Sequence, residues 1–191
     1  MTDPDFSLET RQGLPDALRV LLADYPREAW EAHPQFSGLV QFWLERHMMF
    51  RKLMEVLEGD AQAVLDRSLD PQQYAARLSR FGGMLVSQLH GHHQIEDAHY
   101  FPTLAALDKR IAPGFEILDK DHHALDGIID RFTISANGVL QAAVDDEAAR
   151  EKSAKLLTEL GSFERLLGRH LNDEEELVVP VILNNPGSGL G

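Results

Sequence analysis

Two stretches of the chain carry the same pattern, a histidine followed four residues later by a glutamate and then by a second acid: His92, Glu96, Asp97 and His170, Glu174, Glu175. Each histidine is also followed, ten residues on, by a proline, Pro102 or Pro180. On an α-helix, residues four apart lie on one face about one turn apart, so each copy presents an imidazole and a carboxylate to the same point. Two such helices facing each other make a metal site. That demand constrains the fold more than any other feature, because it needs long helices packed side by side.

The rest of the sequence is consistent with it. Apolar residues recur at three- and four-residue spacing in several long segments, and no sustained strand alternation occurs. The expected fold is all-α. With 191 residues, 43% of them hydrophobic, the chain can bury roughly 70% of its unfolded surface and suits one domain. A net charge of −13 argues against nucleic acid or an anionic membrane as partner, since both need clustered Lys and Arg. Without cysteine, any metal must be held by nitrogen and oxygen donors. The acidic start, Met1 to Phe6, lacks the basic and apolar regions of a leader, and no apolar stretch approaches the ~20 residues of a membrane span. A soluble, cytoplasmic protein is the expectation.

Along the chain, a short amphipathic segment from about Leu14 to Tyr25 precedes a first long helix, expected from Ser37 to about Leu57 with Gly59-Asp60 as its stop. Asp70-Pro71 starts a second, because Asp caps free N–H groups and Pro suits the first helical position. It should run to about Tyr100, with Gly82-Gly83 permitting close packing and Pro102 ending or bending it. Pro113-Gly114 opens a third, which continues through Phe132 toward Ala143. Asp145-Asp146-Glu147 favours the positive N-terminus of a fourth, disrupted at Pro180. The expected domains are an N-terminal helical extension over 1–36, an up-down-up-down four-helix bundle over 37–183 and a mobile tail over 184–191.

In such a bundle His47, His92, His122 and His170, one per helix, can be brought to a common depth, each half supplying two histidines and one carboxylate. Imidazoles and carboxylates suit iron, manganese or zinc, and four histidines with two potentially bridging carboxylates favour two metals over one. A buried cation pair also offsets the several kcal/mol per charge that unpartnered Glu96 and Glu174 would cost in a core. The competing reading, that both repeats are exposed hydrogen-bonding pairs on acidic helices, is weakened by there being two copies. His93 and His123 point about 100° from their neighbours and are read as surface or outer residues rather than ligands. His90 and His33 are set aside as well. His99 follows Glu96 by three residues, which raises a ferritin-like alternative built on Glu-x-x-His, but no counterpart occurs on the fourth helix. Trp43, Phe50, Met54 and Phe163 are read as core, with room for a dry pocket beside the metals.

The motifs Glu45-Arg46-His47, His92-His93-Gln94-Ile95-Glu96-Asp97 with Phe101-Pro102, Asp121-His122-His123-Ala124-Leu125-Asp126, and His170-Leu171-Asn172-Asp173-Glu174-Glu175 with Pro180 carry a resemblance over Ser37 to Ile182. Together they resemble the hemerythrin-like, HHE cation-binding family. The resemblance implies a non-haem di-iron site, with His47 and His92 on one iron, His122 and His170 on the other, Glu96 and Glu174 bridging, and an oxo or hydroxo bridge between the ions. It departs from the oxygen carriers at two points. Where they have a second histidine on the third helix this chain has Asp126, which is counted as a candidate ligand but can equally hydrogen-bond a ligand histidine or be solvated. Where they place the bridging carboxylate this chain has Glu175; the internal repeat favours Glu174, with Glu175 as fallback.

The expected function is binding or sensing of O2, or of a related small ligand such as NO or peroxide, at one iron. An enzyme turning over peroxide or NO is the alternative, as is iron storage or iron sensing. A binding role is favoured over an enzymatic one, and an unidentified protein partner is left open.

Overall fold

A computed structural model describes residues 6–36 and 38–186. The expected first-helix start at Ser37, and residues 187–191 of the expected mobile tail, lie outside the described residues. All regular structure among the described residues is helical. Four long helices, α1 (Leu39–Leu65), α2 (Pro71–Ile95), α4 (Ala112–Ala142) and α5 (Asp146–Asn184), form a helical bundle. Between α2 and α4 lie a π-helical turn, Glu96–Tyr100, and the short α3, Phe101–Leu107. Ahead of α1 the chain makes three brief 3-10 turns, Asp16–Leu18, Val20–Ala23 and Arg27–Ala29. No helix of the described residues is long and apolar enough to cross a membrane.

The helix starts follow the local chemistry. Asp70 Oδ1 accepts the N–H groups of Gln72 and Gln73 at 2.9 and 3.1 Å, and Asp145 Oδ1 accepts those of Glu147 and Ala148 at 3.1 Å each. Two expected stops do not act as stops. α1 runs through Gly59-Asp60 to Leu65 because Ala61 and Val64 extend its fully buried stripe. A helical glycine costs about 1 kcal/mol, less than the roughly 1.5–3 kcal/mol from burying a side chain such as Val64. Pro180 likewise sits inside α5. Its cost of ~3 kcal/mol is offset by burial of Val181 and Leu183 in the following turn.

By contact density the chain divides into two compact units, each made of discontinuous segments. The first comprises residues 1–48, 93–124 and 168–191. Its core gathers Leu14, Trp43, Phe101, Leu104, Phe115, Leu118, Leu177 and Val181, with a smaller cluster of Trp30, Val40, Val179 and Leu183. Gly114 is required there, since a Cβ would lie 2.9 Å from Leu177 Cδ2. The second unit comprises residues 49–92 and 125–167. Its buried side chains include Phe50, Leu57, Tyr74, Leu85, Phe132 and Phe163. Of the glycine pair in α2, Gly82 permits a close approach, a Cβ there meeting Phe132 Cζ at 3.2 Å, whereas Gly83 faces open space.

Candidate metal centre

The buried stripe of α2 passes through Leu78, Gly82, Leu85, Leu89, His93 and Glu96, then reaches Phe101 and Leu104. The step from Glu96 to Phe101 is five residues, one too many for an α-helix to keep both on one face. The π turn absorbs the extra residue: the Phe101 N–H donates to the Glu96 carbonyl, five positions back. Pro102 therefore does not end the helix; α3 carries it onward, and the Thr103 hydroxyl donates to the His99 carbonyl at 2.7 Å.

Within the first unit, His93, His122 and His170 each offer a ring nitrogen, all within 4.8 Å of one another, and all three residues are buried. The His93 and His122 rings stack with centroids 4.0 Å apart. In the same unit His47, Glu96 and Glu174, all buried, form a second group, each with a ligand atom within 4.8 Å of the others. His92, the last residue of its segment of the second unit, is half-buried against the Phe50 ring. The carboxylates address both groups. Glu174 Oε2 lies 3.4 Å from His47 Nε2 and 3.5 Å from His170 Nε2, and Glu96 Oε2 lies 3.5 Å from His122 Nε2. Trp43 Nε1–H donates to the other oxygen, Glu174 Oε1.

Three of these histidines are oriented by a further acid at Nδ1. Glu175 Oε1 takes His47 at 2.9 Å, Asp97 Oδ1 takes His122 at 2.7 Å, and Asp121 Oδ2 takes His170 at 3.2 Å. A ring whose Nδ1–H is donated to a carboxylate turns its Nε2 lone pair toward a metal. His122 Nε2 and His170 Nε2 are buried and make no hydrogen bond among the described residues, so the donor set fits a cation. Glu175 thus orients a histidine, and Glu174 is the carboxylate between the two groups.

Burial first, then the neighbouring Glu174 charge, hold the Glu96 carboxyl well above the usual carboxylate range. Burial would lower His47, but Glu174 and Glu175 outweigh it and the ring is raised. Burial lowers His170, aided by His122 and only partly opposed by Asp121. Burial would raise Asp121, yet hydrogen bonds from Arg11 and His170 hold it below its ordinary value. A cation among these groups relieves the repulsion of Glu96 and Glu174.

Of the residues singled out in the sequence, His47, Glu96, His122, His170 and Glu174 come together in the first unit, whereas Asp126 is an exposed residue of the second. The Asp126 side chain is 56% exposed, its carboxylate 3.5 Å from His90 Nε2. The α4 core stripe runs through Leu118, Leu125 and Phe132; His122 lies toward one edge, and Asp126 is about 40° further round. His93, read from the sequence as a surface or outer residue rather than a ligand, is not at the surface: it is buried, with a ring nitrogen close to those of His122 and His170. Continuing the stripe from Leu85 and Leu89 by four residues points to it. His123 is exposed with Nδ1 at the Asp119 carbonyl, and His33 packs edge-on to Tyr25. His99 is exposed, so the Glu-x-x-His pairing is not formed at Glu96.

The family model of the hemerythrin HHE cation-binding domain matches residues 38–182, and neither the curated proteins nor the solved structures gave a match. A match over most of the chain, coinciding with buried histidines and carboxylates that can hold metal, is decisive at the family level: this chain belongs to the hemerythrin HHE cation-binding family.

Proposed function

We propose that the protein holds two iron ions and binds or senses O2 or a related small ligand such as NO or peroxide. His47, with His92 as the family resemblance implies, would hold one ion and His93, His122 and His170 the other, with Glu96 and Glu174 as the carboxylate donors. The observation that carries this reading is the position of Glu174, whose Oε2 lies within 3.5 Å of a histidine from each group. A donor set of imidazoles and carboxylates without sulfur suits iron. When bound, iron supplies the redox-active position at which such a ligand attaches.

The chain's own residues favour binding over turnover. Asp126, which as a ligand would add negative charge and stabilise the oxidised metal, is replaced in this scheme by the neutral imidazole of His93. Phe101 stacks on His122 at 5.3 Å, and Trp43 packs edge-on to Tyr100 at 4.8 Å, limiting water beside the ions. Reconstitution with ferrous iron should saturate at about two ions per chain, and the optical spectrum of the reduced protein should change reversibly on exposure to O2 or NO. Saturation at one ion without magnetic coupling would sink the two-iron assignment. Rapid irreversible oxidation with peroxide consumption would transfer the protein to the enzymatic reading.

A further inference from the structure

The segment before α1 lies outside the span matched by the family model, yet two of its arginines reach the groups that orient the ligand histidines. Arg11 is buried, its side chain 3% exposed. Its guanidinium forks onto Asp121, with Nη1 2.7 Å from Oδ1 and Nη2 on Oδ2, while Nε donates to Asp173 Oδ2 at 2.8 Å. Asp121 Oδ2 is the atom that takes His170 Nδ1. Arg27 reaches the other group through a single contact: Nη1 lies 2.5 Å from Glu175 Oε2, and Glu175 Oε1 takes His47 Nδ1. Arg11–Asp121–His170 and Arg27–Glu175–His47 are therefore two parallel relays, one to each group of ligands.

The segment is fastened between these relays. The Leu14 N–H donates to Asp173 Oδ1 at 3.1 Å, Arg19 pairs with Glu176 at 2.6 Å, and the Tyr25 hydroxyl donates to Asn184 Oδ1 at 2.9 Å. A fork onto a carboxylate fixes the plane of that carboxylate, and the plane fixes the ring that donates to its remaining lone pair. The arginine charge also draws electron density from the carboxylate, which weakens its pull on the imidazole proton and so moderates the donor strength of Nε2.

We propose that Arg11 and Arg27 are positioning residues for the metal centre, so that the N-terminal segment sets the affinity and reduction potential of the two metal positions, Arg11 through His170 and Arg27 through His47. By reciprocity, metal loading tightens the segment on the bundle. A partner that displaced the segment would in this way read, or change, the state of the metals. The proposal rests on the two-metal reading given above.

The test uses the full chain and the variants Arg11→Gln, Arg11→Lys, Arg27→Gln and Arg27→Lys. Each is loaded with Co(II) as an optical probe and, separately, with iron. Each glutamine variant should lose metal affinity by about 10- to 100-fold, at one position per chain first. Its iron midpoint potential should fall, because a carboxylate charge near the metal is no longer offset. The lysine variants should restore the potential in part, Arg11→Lys without the fork onto Asp121. Because Arg27 is 41% exposed, its variants keep the question answerable even where Arg11→Gln folds poorly. Arginines that serve only to anchor the segment predict equal loss of stability in loaded and metal-free protein, with Co(II) spectrum, affinity and potential unchanged; that result overturns the proposal. A parent protein that loads normally while the Arg27 variants match it sinks the coupling alone, whereas a parent that takes up no metal sinks the functional reading and the coupling together.

Discussion

At the two repeats the paired acids have separate tasks. Glu96 and Glu174 turn toward imidazole Nε2 atoms, while Asp97 and Glu175 each take the Nδ1 of a histidine on another helix, His122 on α4 and His47 on α1. The helical period explains the division, since consecutive residues point about 100° apart and so face different neighbours. The same geometry turns His93 inward with His122 and His170, where the sequence had been read as placing it at the surface or just outside the ligands. Of the candidate site, His47, Glu96, His122, His170 and Glu174 were singled out in the sequence and gather in the first unit. Arg11 and Arg27 were not, because each meets its acid across more than a hundred residues of chain. His93→Ala is expected to lower metal loading at the position His93 shares with His122 and His170, because one of its imidazole donors is lost. Asp126→Ala should leave loading unchanged and alter stability by no more than about 0.5 kcal/mol, as for other exposed sites. Metal analysis after gel filtration decides the matter, and reversal of the two outcomes would restore Asp126 as the ligand.

At the scale of the helices, caps were readable and stops were not. Asp70 and Asp145 act within three residues, so local sequence contains the whole interaction. Gly59 and Pro180 are overruled by burial of Val64 and of Val181 and Leu183, which depends on side chains distant in sequence. The π turn at Glu96–Tyr100 belongs to the same class, because its purpose is to keep Glu96 and Phe101 on one buried face. The glycine pair of α2 gives a controlled test of packing against propensity. Gly83→Ala meets nothing within 4 Å and should stabilise the protein by roughly 0.5–1 kcal/mol. Gly82→Ala brings the same helical gain but sets a Cβ 3.2 Å from Phe132 Cζ, a buried ring that also packs on Phe163. Overpacking of about 1–3 kcal/mol should cancel or exceed the gain. Denaturant melts of the two variants check this, and a Gly82→Ala protein as stable as Gly83→Ala would show that Phe132 yields freely.

For the molecule as a whole, the acids gathered around the metal positions make stability depend on metal and pH together. In metal-free protein the Glu96 carboxyl is raised, by burial and then by Glu174, above its unfolded value near about 4.3. A group raised on folding contributes stability that is fully present below its unfolded pKa and is lost as pH climbs through the folded one. His47, raised by Glu174 and Glu175 against its burial, has the same sign, with its loss beginning above about 6.5. His170, lowered by burial, has the opposite sign: its contribution is complete above about 6.5 and is lost only on acidification. Above about pH 6.5 the opposing group is therefore silent, and the metal-free protein should lose stability as pH rises toward about 8. Bound metal would hold Glu96 as carboxylate and His47 as neutral imidazole, so the loaded protein should be nearly insensitive over that window while its affinity for metal increases. The gap in Tm between loaded and chelator-treated protein is expected to widen from about pH 6.5 to about pH 8. In Glu96→Gln the widening should shrink, because the largest raised group no longer titrates. A gap that is constant or narrows with pH in the parent would mean that Glu96 and His47 do not titrate as their burial and neighbours dictate, and that metal binding is not coupled to folding through them.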